Sequence, residues 1–259
     1  MNHPHQIMTK INRILQDWVP GTVVSSDWLK SRGAGKQLVD SYVKSQWLER
    51  VGRGALKRKG DVVSWEGTVC SLQKNFNRSV HPGGRTSLQL QGFGHFVRMQ
   101  DEKMVILWKT PEVSVPSWIH EMDHSVQFRI RSSHLFSGEV GAFADHKTGP
   151  LSFFISAPER AIFELLYDVP DHESFEEVCH IFQGLSTLRP NVLQELLQAC
   201  ASIKVKRLFL YLSELSGHVW ADKLDTSRTD LGKGKRVIVK GGKFNSKYRI
   251  TVPDNQTEF

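Results

Sequence analysis

The segment from Thr22 to Lys59 constrains the fold more than any other part of this chain. Val23-Val24 runs into Ser25-Ser26-Asp27, whose side-chain oxygens suit a helix N-terminus, and Trp28 to Arg32 continues as that helix. Gly33-Ala34-Gly35 breaks it. Lys36 to Ser45 then carries Leu38, Val39, Tyr42 and Val43 at the spacings that make one apolar stripe on a second helix. That stripe must face a core, which turns Lys36, Gln37, Asp40, Ser41 and Lys44 outward. Two short strands, Trp47 to Val51 and Ala55 to Arg58, flank Gly52-Arg53-Gly54, a sequence suited to a tight turn. Two helices joined by a turn and followed by a basic hairpin make a winged helix-turn-helix, a unit that docks on duplex DNA. Lys36, Gln37, Ser41 and Lys44 are the candidates for the major groove, where Gln37 can read an adenine edge through its amide. Arg50, Arg53, Lys57, Arg58 and Lys59 on the hairpin are the candidates for phosphate contact. A solvated hairpin on any small domain can be equally basic, so the DNA reading rests on its union with the two-helix turn.

Charge partition supports two surfaces with different duties. The net charge of +7 is uneven: Met1 to Arg85 holds 14 Lys or Arg against 6 acids, Thr86 to Asp222 holds 11 against 17, and Lys223 to Arg249 holds 9 against 2. A chain of 259 residues can bury a substantial core, and two domains fit this partition better than one.

Periodicity and punctuation give the rest of the order. A first helix is expected from about Gln6 to Trp18, and Ser64 is placed to cap a helix from Trp65 to about Lys74. His81-Pro82-Gly83-Gly84-Arg85 leads into a short amphipathic stretch that reads as a seam between domains. Strands are expected at Met104 to Trp108, Val126 to Ile130 and Leu151 to Ile155. Helices are expected at Glu159 to Tyr167, Ser174 to Phe182, Pro190 to Cys200 and Val205 to Ser216. Lys235 to Lys240 and Tyr248 to Val252 alternate around Gly241-Gly242 and read as a terminal hairpin, on which Lys235, Arg236, Lys240 and Lys243 form a basic patch.

Several patterns that can signal catalysis are poor matches in this chain. His120-Glu121-Met122-Asp123-His124 matches the zinc-protease pattern HExxH, but alternation resumes at Val126, leaving about two helical turns at most, and a charge sits beside the second histidine. Lys233-Gly234-Lys235 and Gly92-Phe93-Gly94 lack the continuation of a phosphate loop. No serine or cysteine sits in a nucleophile elbow. Three cysteines, Cys70, Cys179 and Cys200, are too few and too scattered for a disulfide framework or a zinc cluster. No catalytic residue, metal or cofactor is expected. The N-terminus lacks a signal-peptide pattern and no apolar run approaches bilayer length, so a cytoplasmic location without a membrane partner is expected.

Three segments taken together resemble the AbiEi family of antitoxins, the DNA-binding partner in type IV toxin-antitoxin systems. They are Tyr42 to Ala55 (YVKSQWLERVGRGA), His81 to Leu88 (HPGGRTSL) and Ser156 to Ala161 (SAPERA), with Val205 to Leu212 and Gly241-Gly242-Lys243 also fitting. Their order and spacing, rather than any single motif, carry the match. The resemblance implies an α+β protein with an N-terminal winged helix-turn-helix domain, residues 1–97, followed by a larger mixed α/β C-terminal antitoxin domain, residues 98–259. It implies autorepression through inverted repeats in operator DNA, with a dimer on the DNA, and antitoxin activity against a separately encoded nucleotidyltransferase-like toxin. The tail patch of Lys235, Arg236, Lys240 and Lys243 is then a candidate antitoxin or nucleic-acid surface. The alternatives are a C-terminal domain that phosphorylates the toxin, for which no nucleotide-binding motif is present, and a generic winged-helix regulator. Leu56 departs from the family, where an aromatic residue is expected, so the wing strand is expected to pack differently.

Overall fold

A computed structural model of the chain describes residues 9–93, 104–122, 125–138 and 140–254. These separate into two compact units, Met1–Val80 with Glu112–Gln127 and Asp145–Phe153, and His81–Pro111 with Phe128–Ala144 and Phe154–Phe259. The chain therefore leaves the first unit and returns to it twice.

The first unit opens with α1 (Lys10–Asp17), β1 (Val24–Ser25), α2 (Ser26–Ser31) and α3 (Lys36–Lys44), followed by β2 (Leu48–Gly52), β3 (Ala55–Arg58) and α4 (Trp65–Lys74). The side chain of Thr9 caps α1, so the helix is shorter than the expected Gln6 to Trp18, and Gln6 lies outside the described residues. Ser25 accepts from the Trp28 amide at 3.0 Å and Ser64 from the Gly67 amide at 3.2 Å, fixing the starts of α2 and α4. Strand β3 lies between β1 and β2, antiparallel to both, with Val24 opposite Leu56 and Glu49 opposite Lys57. Ile11, Ile14, Trp18, Leu29, Val39, Tyr42, Leu48 and Leu56 form one core beneath these elements. Leu56 is fully buried in it, and its burial contributes about 1.5–3 kcal/mol.

The second unit begins with β4 (His81–Pro82) and α5 (Gly84–Leu90). The first unit gives way to the second at Val80–His81, where the stretch expected to be a seam begins, and Gly84 through Leu88 are all buried. Next come β5 (Met104–Lys109), α6 (Trp118–Glu121), which belongs to the first unit, β6 (Gln127–Ser132), β7 (Phe143–Thr148) and β8 (Leu151–Ser156), of which the stretch Asp145–Phe153 also belongs to the first unit. Strands β4, β5 and β6 make a three-stranded sheet with β5 central, and β7 pairs with β8. Helices α7 (Pro158–Tyr167), α8 (Phe175–Gln183), α9 (Pro190–Ala199) and α10 (Ile203–Ser216) follow close to their expected ranges. They enclose a second core in which the Phe163 and Phe209 rings stack at 4.4 Å.

Two sequence motifs meet inside this unit. The Glu164 carboxylate on α7 accepts from the Gly84 amide at 2.9 Å, the Ser156 hydroxyl at 2.7 Å and Arg160 Nε at 2.9 Å, and lies 3.1 Å from His81 Nε2. Burial pushes its carboxyl up, but the hydrogen bond and charge of His81, with Arg160 and Ser156, outweigh this and hold it below the ordinary value. The same turn of sequence sends Arg85 to Glu173 and to Glu177, and Arg189 Nη2 reaches Glu159 at 2.8 Å.

The C-terminal segment is not the expected hairpin. Strands β9 (Arg236–Val237), β10 (Lys243–Asn245) and β11 (Ile250–Val252) form a sheet with β11 central, antiparallel to β10 and parallel to β9. The hairpin partner of β11 is β10, closed by the Asn245 side chain accepting from the Tyr248 amide at 2.9 Å. The parallel pairing of β9 is fastened from α10, where buried Arg207 donates to the carbonyls of Leu231, Gly232, Gly234 and Arg249 at 2.7–3.2 Å.

Candidate nucleic-acid interface

Helix α3 presents its candidate groove residues because its other side is anchored. Val39 and Tyr42 are buried, and Leu38 and Val43 are half-buried against the same core. Lys36, Gln37, Ser41 and Lys44 are all exposed. Among the described residues, neither lysine forms an ion pair. The α2–α3 turn is held by Lys10, whose ammonium donates to the Gly33 carbonyl at 3.0 Å, and by Arg32 lying 3.6 Å over the Trp28 ring.

The wing treats its five basic residues differently. Arg53 sits exposed at the tip, next to Gly54 at φ +70°, a left-handed backbone that favours glycine, and has no ion pair among the described residues. Arg50 on β2 points to α3, its Nη2 2.5 Å from Asp40 Oδ1. Glu49 takes up Lys59 at 3.4 Å and Lys57 at 3.9 Å, and Lys57 also donates to the Asp61 carbonyl at 3.0 Å. Arg58 turns inward, donating to the carbonyls of Leu15 and Trp18 at the end of α1 and lying 5.9 Å over the Trp18 ring. The structure therefore brings Lys36, Gln37, Ser41, Lys44, Arg50 and Arg53 to solvent around α3 and the wing tip. It gives Arg58 an internal duty and offsets Lys57 and Lys59 with a neighbouring acid. A cleft of about 370 Å³ lies between α2, α3 and the wing, lined by Ser26, Lys30, Lys36, Arg50 and Gly54 among others.

One supporting element is absent from the sequence reading. α6 packs on the wing: a side chain at Gly52 would place its Cβ 2.6 Å from that of Trp118, so glycine is required by this approach. Trp118 and Ile119 are buried, and the Phe76 and Trp118 rings lie 5.3 Å apart. This is the HExxH segment. It forms a single turn ending at Met122, whose backbone is extended; Asp123 and His124 lie outside the described residues. One turn cannot present two histidines four positions apart on a common face, and no group of three metal-ligating side chains occurs among the described residues.

In the second unit, Lys235, Arg236, Lys240 and Lys243 are all exposed around β9 and β10, and the Lys235 ammonium lies 4.8 Å over the Phe244 ring. All three cysteines are buried, and burial pushes the Cys179 thiol up to about 12 and the Cys200 thiol up to about 11, values that disfavour the thiolate a nucleophile needs. No helix among the described residues is long and apolar enough to cross a membrane.

Comparison with known proteins gives the family of the chain. A family model described as the N-terminal domain of the AbiEi antitoxin transcriptional regulator matches residues 7–99. A second, described as "Transcriptional regulator, AbiEi antitoxin, Type IV TA system", matches residues 102–253. No curated protein matches the chain. Among solved structures, the chain is similar to the crystal structure of the RV2827C protein from Mycobacterium tuberculosis, at 13% identity over 95% of this chain and 92% of that chain, with a TM-score of 0.57. At that identity the likeness concerns the fold alone.

Proposed function

This chain belongs to the AbiEi antitoxin family of type IV toxin-antitoxin transcriptional regulators, and from that premise we propose that it represses its own operon by binding inverted repeats as a dimer. The observation that carries the reading is the solvent face of α3: Lys36, Gln37, Ser41 and Lys44 stand exposed on a helix whose opposite face is fixed in a core. In this reading α3 enters the major groove, where lysines meet guanine edges or phosphates and the Gln37 amide meets adenine. Arg53 carries the phosphate contact of the wing tip and Arg50 meets the DNA beside α3, with smaller parts for Lys57 and Lys59 and a supporting part for Arg58.

We assign DNA recognition to residues 1–97 and antitoxin activity to residues 98–259. The antitoxin target is a nucleotidyltransferase-like toxin, and the exposed Lys235, Arg236, Lys240 and Lys243 are part of the surface that meets it or nucleic acid. The chain acts by binding rather than by catalysis, in the cytoplasm and without a cofactor. The test is a gel shift with duplex from the region upstream of its own gene, paired with a co-expression growth assay against the toxin encoded beside it. Selective retardation of that duplex, with rescue of growth, is expected. Equal retardation of scrambled duplex would remove the repressor reading, and absence of rescue would remove the antitoxin one.

A further inference from the structure

Asp40 is an acid on the face of α3 that otherwise presents Lys36, Gln37, Ser41 and Lys44. On a helix that meets a polyanion, a carboxylate repels phosphates and needs a compensating role. Its partner is Arg50 at 2.5 Å, and the two side chains are 42% and 46% exposed, so the pair contributes little to holding the fold. What the contact does is fix a direction. A lone surface arginine samples many rotamers, and its ordering on binding opposes affinity. Asp40 occupies one guanidinium N–H, leaving the other donors of the planar fork for a second acceptor. Strand β2, which carries Arg50, is itself held at Gly52 by Trp118, so both ends of the contact stand on fixed elements.

We propose that Asp40 is a positioning residue that holds Arg50 beside α3 as a base-reading side chain, set for the paired acceptors of a guanine edge, rather than leaving it a roaming phosphate contact. This rests on the DNA-binding reading above and adds the division of labour within it. Asp40 thereby raises discrimination by pre-ordering Arg50 for a base edge, while its charge lowers attraction to the phosphates of operator and scrambled duplex alike.

The experiment is a double-mutant cycle on the full chain. Fluorescence anisotropy with duplex from upstream of the gene and with scrambled duplex of equal composition is measured for wild type, Asp40→Ala, Arg50→Ala and the double variant. The expected result is that Asp40→Ala lowers the ratio of the two affinities about three- to tenfold while binding scrambled duplex as well as wild type or better, that Arg50→Ala lowers the ratio about tenfold, and that the double variant equals Arg50→Ala. Asp40→Asn, which retains a hydrogen-bond acceptor for Arg50, should recover part of the ratio. An unchanged ratio in Asp40→Ala, or a further loss when Asp40 is removed from Arg50→Ala, would overturn the proposal while the repressor reading stood. A wild-type protein that fails to distinguish the duplexes would overturn both.

Discussion

The winged unit and the second unit use the same charged residue types in opposite ways. Around α3 and the wing tip, Lys36, Lys44, Arg50 and Arg53 stand in solvent, and among the described residues their one ion-pair partner is the half-exposed Asp40. In the second unit, Glu164, Arg85, Glu159 and Arg207 are withdrawn from water, each matched to donors or acceptors on distant parts of the chain. Exposed pairs add little to stability, whereas removing one partner of a buried set leaves the others desolvated and unmatched. Charge count therefore does not locate an interface; burial does. The lysine-rich tail is where the second unit behaves like the first.

The strongest test of this contrast is Glu164→Ala, which strands His81, Arg160, Ser156 and the Gly84 amide. It should cost about 3–5 kcal/mol in urea unfolding, with the operator affinity of the folded protein unchanged. Weakened DNA binding at full stability would break the contrast. Acid should reveal the same group. Because the Glu164 and Glu159 carboxyls are held below their ordinary value of 4.5, their stabilisation is complete above that pH and is lost as pH falls through the depressed value. Asp168 and Glu173, raised by burial, act with the opposite sign, so Glu164→Gln should flatten the acid loss.

Next in size, Lys36→Ala and Gln37→Ala should each cost about 1–3 kcal/mol on operator duplex and far less on scrambled duplex, at unchanged Tm. Equal losses on both duplexes in gel shifts would make them backbone contacts. Arg58→Ala should sharpen the comparison from within the wing: it should lower stability by about 1–2 kcal/mol, through lost hydrogen bonds to Leu15 and Trp18, and leave affinity nearly intact. The smallest effect is that of Arg53→Ala, which should flatten the log-log salt dependence by about one unit for every sequence, read by anisotropy across salt. An unchanged slope would mean that the tip does not meet phosphate.

Local signals were legible where a helix or turn is decided by neighbours. Ser64 capping α4, Pro158 opening α7 and the stripe of Val39 and Tyr42 are of this kind. Of the candidate interface, the outward face of α3 could be read from that stripe alone. The run Lys57-Arg58-Lys59 read as one basic patch, although strand alternation sends Arg58 to the other side from its neighbours, a signal that was present. Other features depend on partners far along the chain. Glu164 meets His81 across 83 positions, α6 reaches the wing from 66 positions beyond Gly52, and the parallel pairing of β9 with β11 has no local marker. The weakly apolar alternation of β7, from Phe143 to Thr148, was missed because its alternate positions face solvent.

The seating of Trp118 against Gly52 also bears on how such a protein is made and inherited. The unit that holds α3 and the wing is discontinuous in the sequence, since Glu112–Gln127 and Asp145–Phe153 complete it. On the ribosome, α3 and the wing emerge well before the residues that brace them, so this unit is complete only after the first segments of the other have been translated. Recombination that joined this reader to a different effector by one crossover after the wing would carry away the tryptophan that the wing glycine accommodates.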